Sequence, residues 1–289
     1  MGRLGLVIGK DCFASLLTMV FLCLGPVHCL ACLSGLTSKE RAMPEARYHD
    51  TSFAPIPEEV EAGLSPGPIS PEKALRFEAI NDLLEPGYLD VENGYCLNPD
   101  RTGFVAVRTD FPGATGEMIH WWFWWHALED IRYKIWCPGE HFAIGVRDEQ
   151  RMNDASLSYQ ERYLNNPQYP VEDVGFGIRW LSIRFVPPED FGFDTSRFDE
   201  AGIEAAICGI VGDRIFGFTV EHTYMVHLFR RTDTGLELRS RFWIGKVLPS
   251  YCLRKLMIYE YMAKAMGYHC ATEYNHLAEF LPDIFEEFK

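Results

Sequence analysis

His269 and Glu273 stand four residues apart in a segment with a helical pattern, so their side chains should meet on one face, one turn apart. A histidine and a carboxylate so placed can chelate a divalent metal. With further donors and an open position, such a set suits zinc used in catalysis. The same spacing also arises by chance on helix surfaces, so the pair gains weight only from donors elsewhere. His276, three residues beyond Glu273, is expected to share the face. His126 follows the aromatic run Trp121-Trp122-Phe123-Trp124-Trp125 and should share a helical face with Ile119, Trp122 and Phe123. It could cap the carboxyl end of its own helix, or supply a metal ligand from an apolar wall. Glu161 and Glu172 lie between these groups, and each could be a ligand or a solvated charge.

A second set could move protons. His222, Tyr224 and His227 lie on one alternating segment, where 222 and 224 share a face and 227 falls opposite unless a bulge intervenes. Any of the three could act as a general acid or donate a hydrogen bond to a ligand. Arg239 and Arg241 should share a face of the next strand and pair with carboxylates. The chain has no GxSxG elbow, no P-loop and no complete GxGxxG, since Gly175-Phe-Gly177 lacks the third glycine.

The elements that must position these residues can be read from pattern. Gly94 to Asp110 is an expected hairpin, and Thr115 should cap a helix running towards Asp130. Arg132 to Trp136 reads as a short strand or turn, and Gln150 to Tyr169 as a long loop with a helical turn. Val171 to Val186 reads as a strand pair or one bent strand. Thr219 to Phe229 and Leu236 to Gly245 form the clearest hairpin, joined at Asp233-Thr-Gly235. Lys255 to Phe280 is helix-rich, with a kink or break expected at Gly267 and an end at Pro282. Helices segregated from antiparallel hairpins indicate an α+β fold.

The organisation divides into three parts. Residues 1–35 resemble a targeting segment: Arg3 and Lys10 precede an apolar run, Phe13 to Leu24, that suits a secretory signal and is short for a membrane span of about 20 residues. A membrane anchor is the alternative. Residues 36–85 are rich in proline and read as a linker or strap with a short helix near Pro71 to Leu84. Residues 86–289 form the main domain. Of nine cysteines, five are scattered through that domain and read as reduced thiols, as in a cytoplasmic protein. Cys29 and Cys32 make a CxxC with no second pair beside it. Basic residues number 27 against 41 acidic, a net charge of −14, which argues against nucleic acid as a partner. The aromatic content, 20 Phe, 13 Tyr and 7 Trp, could build a solid core or an aromatic-lined cavity.

Several segments resemble those of the family of 2,4-diacetylphloroglucinol hydrolase and phloretin hydrolase. They are Met118 to Trp136 (MIHWWFWWHALEDIRYKIW), Pro138-Gly-Glu-His-Phe142, Val171-Glu-Asp-Val-Gly175, Gly235 to Gly245, and His269-Cys-Ala-Thr-Glu273 with Leu277 to Pro282. The resemblance covers about residues 86 to 289. It implies a helix-grip (Bet v 1-like) fold, in which an antiparallel sheet wraps a long carboxy-terminal helix and leaves a ligand cavity. It also implies a zinc-dependent hydrolase that splits the carbon–carbon bond between an acyl group and a phenolic ring. By this resemblance Zn2+ is held by two His and two Glu: His126, His269, Glu273 and Glu161, with Glu172 as the alternative to Glu161. His222, His227 or Tyr224 would supply or relay a proton to the ring. The expected partner is a small phenolic ketone, and a homodimer remains open. The competing expectation is a non-catalytic carrier of flat hydrophobic ligands on the same scaffold, which would have no use for a four-ligand set.

Overall fold

The computed structural model describes residues 35–289. The expected targeting segment and the Cys29–Cys32 pair lie outside the described residues, apart from Gly35. The chain begins with short 3-10 turns at Glu40–Ala42 and Pro44–Tyr48, then helix α1 (Glu58–Leu64), then further 3-10 turns at Pro71–Lys73 and Phe77–Leu84. Strands β1 (Gly94–Leu97) and β2 (Gly103–Pro112) lead to α2 (Gly116–Trp125) and α3 (Asp130–Lys134). Then come β3 (His141–Ala143), α4 (Glu149–Met152), α5 (Tyr159–Tyr163), β4 (Val171–Asp173) and β5 (Ile178–Val186). The long strands β6 (Ile203–Ile215), β7 (Phe218–Thr232) and β8 (Gly235–Ile244) precede α6 (Tyr251–Met257) and α7 (Glu260–Phe288).

All eight strands form one antiparallel sheet in the order β1-β2-β8-β7-β6-β5-β4-β3. Helix α7 crosses it, packing on β1 and β2. This is the helix-grip arrangement that the resemblance implied. Both sheet faces are buried, and β8 shows how. Leu236, Leu238, Phe242 and Ile244 face the inner core under α7, while Trp243 joins an outer core closed by Ile80, Leu83, Leu84 and Phe191. Arg239 and Arg241 also face outward, fully buried, and both grip Glu92, with Nη2 atoms 2.6 and 2.5 Å from its oxygens.

Helix α7 is continuous through both positions where an interruption was expected. Gly267 serves close approach instead: a Cβ there would sit 3.0 Å from Leu64 Cδ2 of α1 and 3.5 Å from Val105 of β2. Beyond Pro282, the buried Ile284 and Phe285 hold the last turns against the core. Arg132 to Trp136 belongs to α3 and its end rather than to a strand, with Ile131, Tyr133 and Ile135 all buried on the core side. Residues 36–85 pack closely on the sheet and helices: Leu36, Val60 and Leu64 lie in the inner core, Lys134 Nζ bonds Glu40 at 2.8 Å, and Arg132 Nε bonds Glu45 at 3.1 Å. No helix among the described residues is long and apolar enough to cross a membrane.

Candidate active site

A deep cavity of about 120 Å3 opens between α7 and the inner face of β4 to β8. Phe123, Trp136, Phe185, Met225, Phe242 and Met266 are among its apolar walls, so part of the aromatic excess does line a cavity. His269 and Glu273 project into it from one turn of α7, with Nε2 and Oε2 3.9 Å apart.

Two further donors meet them. β3 and β4 are antiparallel partners, and His141 stands directly opposite Glu172. His141 Nε2 lies 3.6 Å from Glu172 Oε2 and 3.5 Å from Glu273 Oε2. That nitrogen is buried and has no hydrogen-bond partner. Its ring is fixed from behind, with Nδ1 3.2 Å from the Tyr133 carbonyl and the ring stacked parallel on Tyr133 at 4.0 Å. His141, Glu172 and His269 offer ligand atoms within 4.8 Å of one another. Two imidazoles and two carboxylates brought together, with one imidazole nitrogen buried and otherwise unbonded, fit a zinc-type donor set.

The groups around the set fix its orientation. Glu140 Oε2 accepts from His269 Nδ1 at 2.6 Å, which leaves Nε2 free to face Glu273. The Tyr133 hydroxyl donates to Glu172. Burial pushes the Glu273 carboxyl up to about 8, with Glu172 and Glu140 adding to the shift. Burial would lower His269, but Glu273, Glu140 and Glu172 outweigh it and raise the ring to about 9. Burial and then the neighbouring His269 hold His141 well below its ordinary value. Like charges crowded in an apolar pocket are costly, and a bound cation would relieve them.

The structure brings together only part of the expected set. Glu161 is exposed and is consumed by a capping box at the start of α5, where Ser158 and Glu161 bond each other's backbone amides. The sequence pattern Ser158-Tyr-Gln-Glu161 carries that signature. Glu172, the alternative, is the carboxylate that reaches the cluster. His126 faces the cavity, but its Nδ1 is bound to the Trp122 carbonyl at 2.7 Å, and it is not one of the clustered donors. His141 was not anticipated, although it sits in the quoted Pro138 to Phe142 segment. Only the β3–β4 register reveals that it faces Glu172. His276 lies two turns beyond His269 and meets Thr51 and Phe53 of the amino-terminal segment instead.

A bulge decides the β7 residues. The register with β6 shifts between Val211 and Gly212, so Val211 pairs with Thr223 and Gly212 with Glu221. The extra residue, His222, thereby joins Thr223, Met225 and His227 on the cavity wall. Tyr224 points the other way, stacked on Phe77 at 4.4 Å in the outer core, so it cannot serve the cavity. His222 Nδ1 lies 2.7 Å from Thr223 Oγ1, and its Nε2 faces Asp213 Oδ2 at 3.6 Å, beyond hydrogen-bonding distance. His227 is held by Ser240 Oγ, 2.8 Å from its Nδ1, and burial pushes it down to about 3.

Comparison with known proteins places this architecture. The family described as "DAPG hydrolase PhiG domain" matches residues 75–286. A 2,4-diacetylphloroglucinol hydrolase from a Pseudomonas species is 33% identical over 270 residues, covering 86% of this chain and 89% of the relative. A phloretin hydrolase from Eubacterium ramulus is 31% identical over 267 residues, covering 88% and 94%. Among solved structures, protein Ms6760 from Mycobacterium smegmatis aligns with 12% identity and a TM-score of 0.37, covering 66% of this chain and 98% of that one. With most of its length matched by the family and by these relatives, the chain belongs to the DAPG hydrolase family.

Proposed function

We propose that the protein is a zinc-dependent hydrolase that cleaves the carbon–carbon bond between an acyl group and a phloroglucinol-type ring. The observation that carries this reading is the convergence of His141, Glu172, His269 and Glu273 on the wall of an aromatic-lined cavity, with His141 Nε2 left unbonded. The relatives support the substrate class. In 2,4-diacetylphloroglucinol the acetyl groups sit on ring carbons, so removing one by hydrolysis breaks a carbon–carbon bond.

The four residues would hold zinc, with Glu140 fixing the His269 tautomer and Tyr133 orienting Glu172. Bound there, zinc would supply a Lewis acid for the acyl oxygen and acidify a water molecule. The apolar walls position the ring and exclude bulk water. As the bond breaks, the ring carbon gains a proton and the acyl carbon gains the hydroxyl of water, giving a phenol and a carboxylic acid. His227 is the group suited to relay the proton: it faces the cavity, and Ser240 holds Nδ1 while Nε2 remains for the substrate. His222, whose Nδ1 is bonded to Thr223 and whose Nε2 faces the Asp213 carboxylate, is less suited.

The test combines elemental analysis with product identification. About one zinc per chain is expected, with release of the deacylated ring and free acid from acylphloroglucinols. Zinc well below one per chain, or cleavage of phenolic esters alone, would overturn the proposal.

A further inference from the structure

A second polar cluster shares the cavity with the donor set. Arg179, Asp213 and His222 line it from the neighbouring strands β5, β6 and β7. Asp213 joins the three. Its Oδ1 accepts from Arg179 Nε at 3.1 Å and its Oδ2 from Arg179 Nη2. On its other side, His222 Nε2 stands 3.6 Å from Oδ2, too far for a direct hydrogen bond. Such a separation leaves room for an oxygen atom placed beside both. Exposure of the Arg179 side chain is 36%, against 10% for Asp213 and 15% for His222, which puts the cluster where the cavity opens. Phe176 forms a lip beside it, edge-on to Tyr261 of α7 at 6.2 Å and 5.8 Å from the Arg179 guanidinium.

Strand register fixes the distance to the donor set. Arg179 stands opposite Glu172 of β4, but its guanidinium reaches the other way, to Asp213, which stands opposite Leu181. Asp213 therefore lies two strand spacings, about 10 Å, across the sheet from Glu172. Leu181, Ile183 and Val211 make the adjoining wall apolar. The aromatic end of the cavity, where Phe123 neighbours both Trp136 and His227, suits the phenolic ring. With the carbonyl at the donor set, the acyl chain then runs out past the cluster. An acetyl group ends short of it, and a longer chain reaches it.

The chemistry of the cluster selects the chain end. The charges of Arg179 and Asp213 oppose each other. A carboxylate arriving there would meet Asp213, an ammonium would meet Arg179, and a methyl would only take water from the pair. A hydroxyl can donate to Asp213 while accepting from His222 Nε2 or Arg179 Nη1, which has no hydrogen-bond partner among the described residues. We infer that Arg179, Asp213 and His222 recognise a hydroxyl at the far end of the substrate's acyl chain. The inference rests on the proposed function and deepens it by naming the acyl class. It gives His222 a binding role in place of proton relay.

Three ketones that differ only at the chain end test this: phloroglucinol carrying a 6-hydroxyhexanoyl, a heptanoyl or a 5-carboxypentanoyl group. On the zinc-loaded full chain, kcat/KM should favour the hydroxyl over each of the others by about ten- to a hundredfold. Arg179→Met combined with Asp213→Leu removes both charges, so neither is left buried alone. This pair should cut the preference for hydroxyl over methyl about tenfold, and His222→Phe about threefold, with zinc retained. General damage would lower all three rates together and leave their ratios unchanged. Should one variant fail to fold, the other and the wild-type series decide the matter. Equal rates on the hydroxyl and methyl ends, a preference for the carboxylate, or unchanged ratios in a folded variant would each overturn the inference. If the wild type cleaves none of the three, calorimetry on the same compounds reads the preference as dissociation constants. A preference found there removes the hydrolase reading and leaves the recognition standing, whereas equal or absent binding overturns it.

Discussion

Glu140 lies 2.6 Å from His269 Nδ1, on the side of the ring opposite Glu273. The carboxylate therefore decides which nitrogen of His269 faces the cavity. Glu140→Gln retains the shape and removes the charge. Zinc affinity, measured by competition with a chelator, should fall about ten- to a hundredfold, with the fold unchanged by circular dichroism. An affinity equal to that of the wild type would show that Glu140 plays no orienting part.

Glu172 and Glu161 should separate cleanly. Glu172→Gln is expected to lose zinc and activity together, as are His141→Ala and Glu273→Ala. Glu161→Ala should keep its zinc and lose only a little thermal stability through the cap of α5. Metal content of the purified variants, measured beside their melting temperatures, reads both outcomes.

Tyr224→Phe should leave kcat within about twofold, since that ring packs on Phe77 away from the cavity, whereas Tyr224→Ala should cost about 3 kcal/mol of stability through the outer core. His227→Gln should lower kcat more than it changes KM. A large activity loss in Tyr224→Phe would return the proton role to that residue.

Acid stability should depend on Glu92. Burial alone would raise its carboxyl, but Arg241 and Arg239 outweigh that and hold it down to about 2, against an ordinary 4.5. A depressed carboxylate stabilises the fold in full above its unfolded value. The contribution should fade as pH drops from about 4.5 and be gone below about 2. The shift corresponds to about 3 kcal/mol. Glu92→Gln should therefore be less stable at neutral pH by roughly that amount and show a flatter decline in denaturation midpoint between pH 5 and 2, taken as about the titration range.

Much of the sheet was legible because its hairpins alternate strongly and Asp233-Thr-Gly235 marks a turn. The HxxxE pair was legible because helical spacing alone brings its members together. Other features needed tertiary structure. His141 and Glu172 sit on three-residue strands, too short to show a period, and only their pairing aligns them. The bulge that turns His222 to the cavity has no mark in the alternation of β7 and arises from its register with β6. Gly267 looked like a helix breaker because propensity counts entropy, while the contact with Leu64 that uses its missing side chain is non-local. Glu161 was misplaced although its capping-box pattern stood in the sequence.

The spread of the four donors along the chain has a consequence for how the protein comes to be made. His141 and Glu172 belong to the far edge of the sheet, whereas His269 and Glu273 belong to the last helix, Glu260–Phe288. A ribosome would finish every strand before the helix that completes the donor set emerged. The site is therefore assembled last, and a chain truncated before that helix would have a sheet and half a cavity but only two of the four donors.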